Sequence, residues 1–319
     1  MMHLLWLLMG LVFLTVGGEA LVRGALAAAK RLGVSPLLAG LVIVGFGTSA
    51  PELVVSLQAV IKGQPDIALG NVIGSNIANI LLILGISALI MPLATNSQCL
   101  RRDGLTMLVA TLLFMVLASF NGVSRVEGVV LLLALVVYLV WAYRTEKDDV
   151  NSPEAKLDQA RSVEKELLPM NIPITLVAII GGLAMLVYGA DRFLVGAIGL
   201  GKAFGVPDAI IGLSVVAVGT SLPELAVSIV AAVRRHTDVA IGNIIGSCIF
   251  NLLSIVGLSA SVMTLPMTGR LVHIDQFVML GATLLLLSFL FFGLRVTRLK
   301  AAVLLGSYVI YVGLMFGQQ

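Results

Sequence analysis

The sequence predicts an all-α polytopic membrane protein of about ten transmembrane helices, arranged as two inverted five-helix repeats. Three observations carry that expectation: an apolar composition, an internal duplication, and a one-sided distribution of basic residues. The chain of 319 residues is 59% hydrophobic and only 12% charged, with a mean hydropathy of +1.08. Soluble domains carry about 25% charged residues, so this composition suits lipid. Apolar runs long enough to cross a hydrocarbon core of about 30 Å recur along its whole length.

The duplication centres on two motifs. Gly47-Thr48-Ser49-Ala50-Pro51-Glu52 is followed by Gly70-Asn71-Val72-Ile73-Gly74-Ser75-Asn76-Ile77-Ala78-Asn79. Both pieces recur 172 positions later, as Gly219-Thr220-Ser221-Leu222-Pro223-Glu224 and Gly242-Asn243-Ile244-Ile245-Gly246-Ser247-Cys248-Ile249-Phe250-Asn251. From Gly33 against Gly205 to Ala88 against Ala260 the copies align without a gap and agree at roughly half their positions, the signature of an internal repeat.

Taken in order, the first half offers spans at about 4–29, 36–61, 67–91, 105–120 and 126–141. The first apolar run lacks a basic flank and flows into Gly17-Gly18-Glu19, so it reads as a span rather than a cleaved leader. The second half repeats the scheme at about 172–200, 207–233, 239–265, 274–292 and 301–316. Residues 1–142 thus form the first repeat and 171–319 the second. The polar segment 143–170, rich in Lys, Glu, Asp and Gln, is the connector between them.

Basic residues orient this scheme. With the N-terminus outside, fourteen loop lysines and arginines fall inside and four outside, namely Lys62, Arg125, Lys202 and Arg270. Both termini are then periplasmic and the connector cytoplasmic. Five spans per half make the second half enter from the opposite side, so the repeats are inverted, as in many secondary transporters with midplane sites.

The chemistry lies in the duplicated motifs. Glu52 and Glu224 are carboxylates inside apolar spans, where an ionisable side chain costs roughly 2.5–3.5 kcal/mol to insert and marks function by default. Thr48 and Ser49 precede Glu52 by four and three residues, one helix face. Pro51 has no N–H, which should break the helix and free carbonyls there. Ser75 and Asn79 are again four apart on the next span. Thr220, Ser221, Glu224, Ser247 and Asn251 repeat the pattern. Carboxylates, hydroxyls, amides and carbonyls are hard oxygen donors, a set that suits calcium with its 6–8 oxygen ligands better than magnesium or zinc.

Other polar residues read differently. Asn71 and Asn243 fit helix packing or ion binding equally. Glu19 and Asp191 correspond by offset, and each has an arginine beside it (Arg23, Arg192), which reads as a structural ion pair. His3, His236 and His273 are scattered at span ends. Cys99 and Cys248 show neither metal-ligand spacing nor a disulfide framework. A net charge of +3 spread over short loops does not indicate nucleic acid.

At these motifs the sequence resembles the sodium/calcium exchanger family of the cation/calcium antiporter superfamily, specifically its short prokaryotic inner-membrane members. The resemblance covers nearly the whole chain, and it implies an ion site built from the second, third, seventh and eighth helices. Thr48, Ser49, Glu52, Ser75, Asn79, Thr220, Ser221, Glu224, Ser247 and Asn251 are then side-chain ligands, and Gly45 and Ala217 contribute backbone carbonyls. Several members carry Asp at the position of Asn251, an acid associated with potassium dependence; asparagine here points away from potassium coupling.

The function this implies is calcium-for-sodium antiport by alternating access, with calcium and sodium as transported ions, the lipid bilayer as surroundings, no cofactor, no enzymatic activity and no obligatory protein partner. The first and sixth spans, long and free of internal proline, are expected to slide against the site-bearing core. Proton/calcium exchange is the main rival, since two close carboxylates also attract protons. A passive cation channel and an intramembrane hydrolase are more remote; no nucleophile–base pair supports the latter.

Overall fold

In lipid every backbone polar group must find its partner within the protein, which leaves helices as the economical solution for runs this apolar. A computed structural model describes residues 2–97, 99–119, 122–150, 170–204 and 219–317. Among these, eight helices are long and apolar enough to cross a membrane, or nine with one bent pair counted as a span.

Helix α1, Met2–Leu32, ends at Gly33, whose φ of +65° few other residues adopt. Ser35 then caps α2, Pro36–Thr48, by accepting from the Leu38 N–H at 3.2 Å. The chain bends by 41° at Ser49 into α3, Ala50–Ile61. Helix α4, Pro65–Ile90, is followed by α5, Cys99–Ser119, and α6, Arg125–Val150. In the second half come α7, Ile172–Ala203; α8, Leu222–Val233; α9, Thr237–Val262; α10, Leu271–Phe291; and α11, Arg298–Gly317. The stretch expected to open the seventh span lies outside the described residues.

Two boundaries differ from the sequence reading. Helix α5 begins at Cys99 rather than near Leu105, through a wide π turn over Cys99–Gly104 that brings Asp103 inward. Helix α6 continues to Val150, eight residues into the segment read as connector. There Glu146 is buried rather than solvated. It accepts from Arg102 at 2.6 Å, while Arg102 also pairs with Asp103 at 2.7 Å and Tyr138 donates to Asp103 at 2.9 Å. Arg102, a loop charge in the sequence reading, is thus a buried anchor for the end of α6.

Burial identifies the centre. The most apolar window of α9 is 100% buried and that of α4 72%, against 11–44% for the other single-helix spans. Helix α2 lies along α9 at backbone contact, where a methyl group at Gly45 would stand 2.9 Å from the Ser247 nitrogen. Equivalent contacts recur in the two halves, with one partner offset by 172 residues and the other by 173. Gly85 of α4 receives Leu305 of α11, and Gly257 of α9 receives Leu132 of α6. A short antiparallel pair, β1 (Leu93–Ala94) with β2 (Arg295–Val296), has its counterpart in a bridge between Val123 and Leu265.

Helices α1 and α7 form a separate antiparallel pair. Glycines recur every seven residues on each helix, at 10, 17 and 24 and at 182, 189 and 196; Gly10 faces Gly189 and Gly17 faces Gly182, while Gly24 meets Ile179 and Gly196 meets Leu7. A Cβ at Gly17 would lie 2.9 Å from the Gly182 carbonyl, and one at Gly182 would lie 2.9 Å from that of Gly17. Small residues at such positions let backbones touch, the usual device of membrane helices. Only α1's Glu19 reaches across to the core by charge, pairing with Arg234 at 3.0 Å as well as with Arg23 at 2.6 Å, among the described ion pairs.

Candidate cation-binding site

Both glutamates of the duplicated motifs occupy the first turn of a helix, Glu52 in α3 and Glu224 in α8. A helix N-terminus favours negative charge, and proline in the first turn wastes no intrahelical bond because those N–H groups are free anyway. The expected break is present at Ser49, although the Gly45 carbonyl is not left idle. It accepts from the Ser49 N–H at 3.2 Å and from the Ser247 hydroxyl at 3.2 Å.

The serines do not serve the glutamates of their own helices. Ser49 donates to Oε1 of Glu224 at 2.9 Å, and Ser221 donates to Oε1 of Glu52 at 2.9 Å. Thr48 also interacts with the Glu224 carboxylate and Thr220 with that of Glu52, and the two carboxylates are near enough to repel each other. Both glutamates are fully buried. Neither belongs to an ion pair; the acids that hold arginines among the described residues are Glu19, Asp103, Glu146, Asp191 and Asp275.

Asn71 and Asn243 each brace a neighbouring helix through Nδ2. Asn71 Nδ2 donates to the Glu52 carbonyl at 3.1 Å and to Ser56 at 3.0 Å; Asn243 Nδ2 donates to the Glu224 carbonyl at 3.3 Å and to Ser228 at 2.9 Å. Each amide clamps the first turn that carries a glutamate. Asn243 also accepts from Thr48 at 3.1 Å. Ser56 and Ser228 escaped the sequence reading although they obey the same offset.

Asn79 and Asn251 sit where α4 and α9 widen into π turns, at Ala78–Ile83 and Asn251–Ile255. Such turns are rare and occur often at functional sites. Ser75, Asn79, Ser247 and Asn251 are all buried, as are Thr48, Ser49 and Ser221, whereas Thr220 is half-buried. The expected carbonyl of Ala217 lies outside the described residues.

Four oxygens here have no hydrogen-bond partner among the described residues: Glu52 Oε2, Glu224 Oε2, Asn79 Oδ1 and Asn251 Oδ1. Native proteins leave few buried polar atoms unpaired, and each exception calls for a reason. Two carboxylate oxygens and two amide oxygens, contributed equally by both halves, are what a desolvated hard cation needs. Among the described residues no group of three His, Cys, Asp or Glu side chains is placed to hold a metal ion; carboxylate and amide oxygens are hard donors.

A helical membrane protein whose buried acids face each other at discontinuous helices has the organisation of a secondary transporter. The sodium/calcium exchanger protein family model matches residues 2–144 and 174–317, and the chain belongs to that family of exchangers. It is 38% identical to the sodium/calcium exchanger MaX1 of Methanosarcina acetivorans and 36% identical to the putative antiporter CaxA of Alkalimonas amylolytica, covering 98% of each chain in both comparisons. Its structure resembles that of the sodium-calcium exchanger NCX_Mj soaked with sodium and calcium, with a TM-score of 0.83, 31% identity and 98% of each chain covered.

Proposed function

We propose that this protein exchanges calcium for sodium across the inner membrane, using one site formed jointly by Thr48, Ser49, Glu52, Ser75 and Asn79 and by Thr220, Ser221, Glu224, Ser247 and Asn251, with carbonyls of Gly45 and Ala217. The observation that carries the proposal is the set of four buried, unpartnered oxygens drawn from both glutamates and both π-turn asparagines. Two glutamates neutralise one calcium or two sodium ions, and hydroxyl and carbonyl oxygens complete a coordination shell that a proton does not require.

Obligatory exchange follows from the same charges. Moving two bare carboxylates through a low-dielectric intermediate is costly, so the loaded protein changes sides and the empty one does not. Ten helices in two inverted repeats account for the antiparallel run of α1 against α7 and for the equivalent contacts that recur in the two halves. The α1–α7 pair, joined backbone to backbone, is the element that slides against the core. Both termini are periplasmic and the connector is cytoplasmic.

Calcium-45 uptake into proteoliposomes tests this reading. Uptake must require a counter-ion gradient; uptake at the same rate without one would make the protein a channel and end the proposal.

A further inference from the structure

Among the equivalent positions at which the duplicated motifs differ, Asn76 and Cys248 are the one pair with polar side chains, and the difference propagates to the asparagines that face the cation. Asn76 Nδ2 approaches the Cys248 carbonyl at 3.4 Å, and the Cys248 thiol approaches the Asn76 carbonyl at 4.0 Å. These are the same contact made twice. A backbone carbonyl only accepts, so the Asn76 contact must come from its NH2 group. That choice turns Asn76 Oδ1 toward Asn251.

Asn251 answers with its own NH2 group, donating to Asn76 Oδ1 at 3.1 Å. Its rotamer and flip are thereby fixed, and its Oδ1 is left without a protein partner. In the first half the corresponding holder for Asn79 would stand at position 248. A thiol there is a weak donor and a weak acceptor, and its hydrogen is turned to the Asn76 carbonyl. Asn79 interacts with the Cys248 sulfur, a weak partner; among the described residues neither Nδ2 nor Oδ1 of Asn79 makes a well-formed hydrogen bond, and the residue is fully buried.

We propose that Asn76 is a positioning residue that presents the Asn251 oxygen to the transported cation, and that Cys248 leaves Asn79 to be oriented by the cation itself. The proposal rests on the exchange reading above and adds to it an asymmetry: one fixed oxygen and one rotatable amide. A preorganised ligand loses less freedom on binding than a mobile one, so Asn251 carries more of the affinity than Asn79.

The test is calcium binding to the purified full-length protein by titration calorimetry with calcium chloride, with sodium competition. In the natural background, Asn251→Ala is expected to weaken calcium binding about fivefold more than Asn79→Ala, the order of ordering one side chain. With Asn76→Cys and Cys248→Asn combined, that ranking reverses, because Asn79 gains the holder and Asn251 loses it. The single change Cys248→Asn is the milder variant: it raises the penalty of Asn79→Ala to that of Asn251→Ala. A ranking that stays put in the double exchange, or an Asn79→Ala penalty unmoved by Cys248→Asn, overturns the asymmetry and leaves calcium binding intact. Absence of sodium-sensitive calcium binding in the natural protein overturns the exchange reading and this proposal with it.

Discussion

The Ser49 hydroxyl donates to Oε1 of Glu224 at 2.9 Å across 175 positions of chain, and Ser221 returns the bond to Glu52. Each acid is therefore oriented by the other repeat. A hydrogen bond to a charged group is worth roughly 1.5–3 kcal/mol. Ser49→Ala and Ser221→Ala should each weaken calcium binding on the order of 10- to 150-fold, with similar size because the bonds are equivalent. Calcium-dependent uptake rates measured over a calcium range check this, and a near-normal apparent affinity in either mutant would remove that serine from the site.

Glu52→Gln and Glu224→Gln are expected to abolish calcium transport while membrane insertion stays normal, since the amide keeps the shape and removes the charge. By contrast, Glu19→Gln breaks contacts to Arg23 and Arg234 outside the site and should act through protein yield. Flux normalised to the amount of inserted protein separates the two. Normal flux in either site mutant would return that acid to a structural role.

The coupling ion is decided by comparing calcium uptake into sodium-loaded and choline-loaded vesicles at equal internal and external pH. Sodium exchange predicts uptake only with sodium inside. Equal uptake driven by a pH gradient in sodium-free vesicles would assign the coupling to protons instead.

Orientation can be read with a cysteine introduced at Ser152, because the native Cys99 and Cys248 are both buried and give little background. An impermeant thiol reagent added to intact cells should leave it unlabelled. Labelling from outside would reverse the topology and put both termini in the cytoplasm.

At the α1–α7 contact, Gly17→Leu forces a side chain where a Cβ alone would stand 2.9 Å from the Gly182 carbonyl. The two helices must separate, so the yield of folded protein should fall sharply. Gly181→Leu, at a position where a Cβ meets nothing within 4 Å, is the control. Equal yields would show that the pair is not held by close backbone packing.

The sequence made the spans, the repeat and both acids legible, because a fixed offset preserved Thr, Ser, Glu and Asn together in otherwise apolar surroundings. It did not reveal which partners those residues choose. Spacing within one helix placed Ser49 over Glu52, whereas the bend at Ser49 directs that hydroxyl to Glu224. The same limit applied to Asn71 and Asn243, whose role depends on reaching a carbonyl of a different helix. Glu146 belongs by its charged neighbours to the polar connector; only the buried Arg102 on α5 explains why it turns inward.

The crossed stitching of the halves, β1 to β2 and Val123 to Leu265, bears on how the protein is made. When the first half leaves the ribosome, every partner for the Leu93–Ala94 edge, for Val123 and for the Glu52 carboxylate is still untranslated. That half then lacks these partners in the bilayer, and its pairing is completed only after α10, when Arg295–Val296 reaches Leu93–Ala94. Two halves synthesised as separate chains, divided within the connector, face the same dependence, since each lacks the other's half of these contacts.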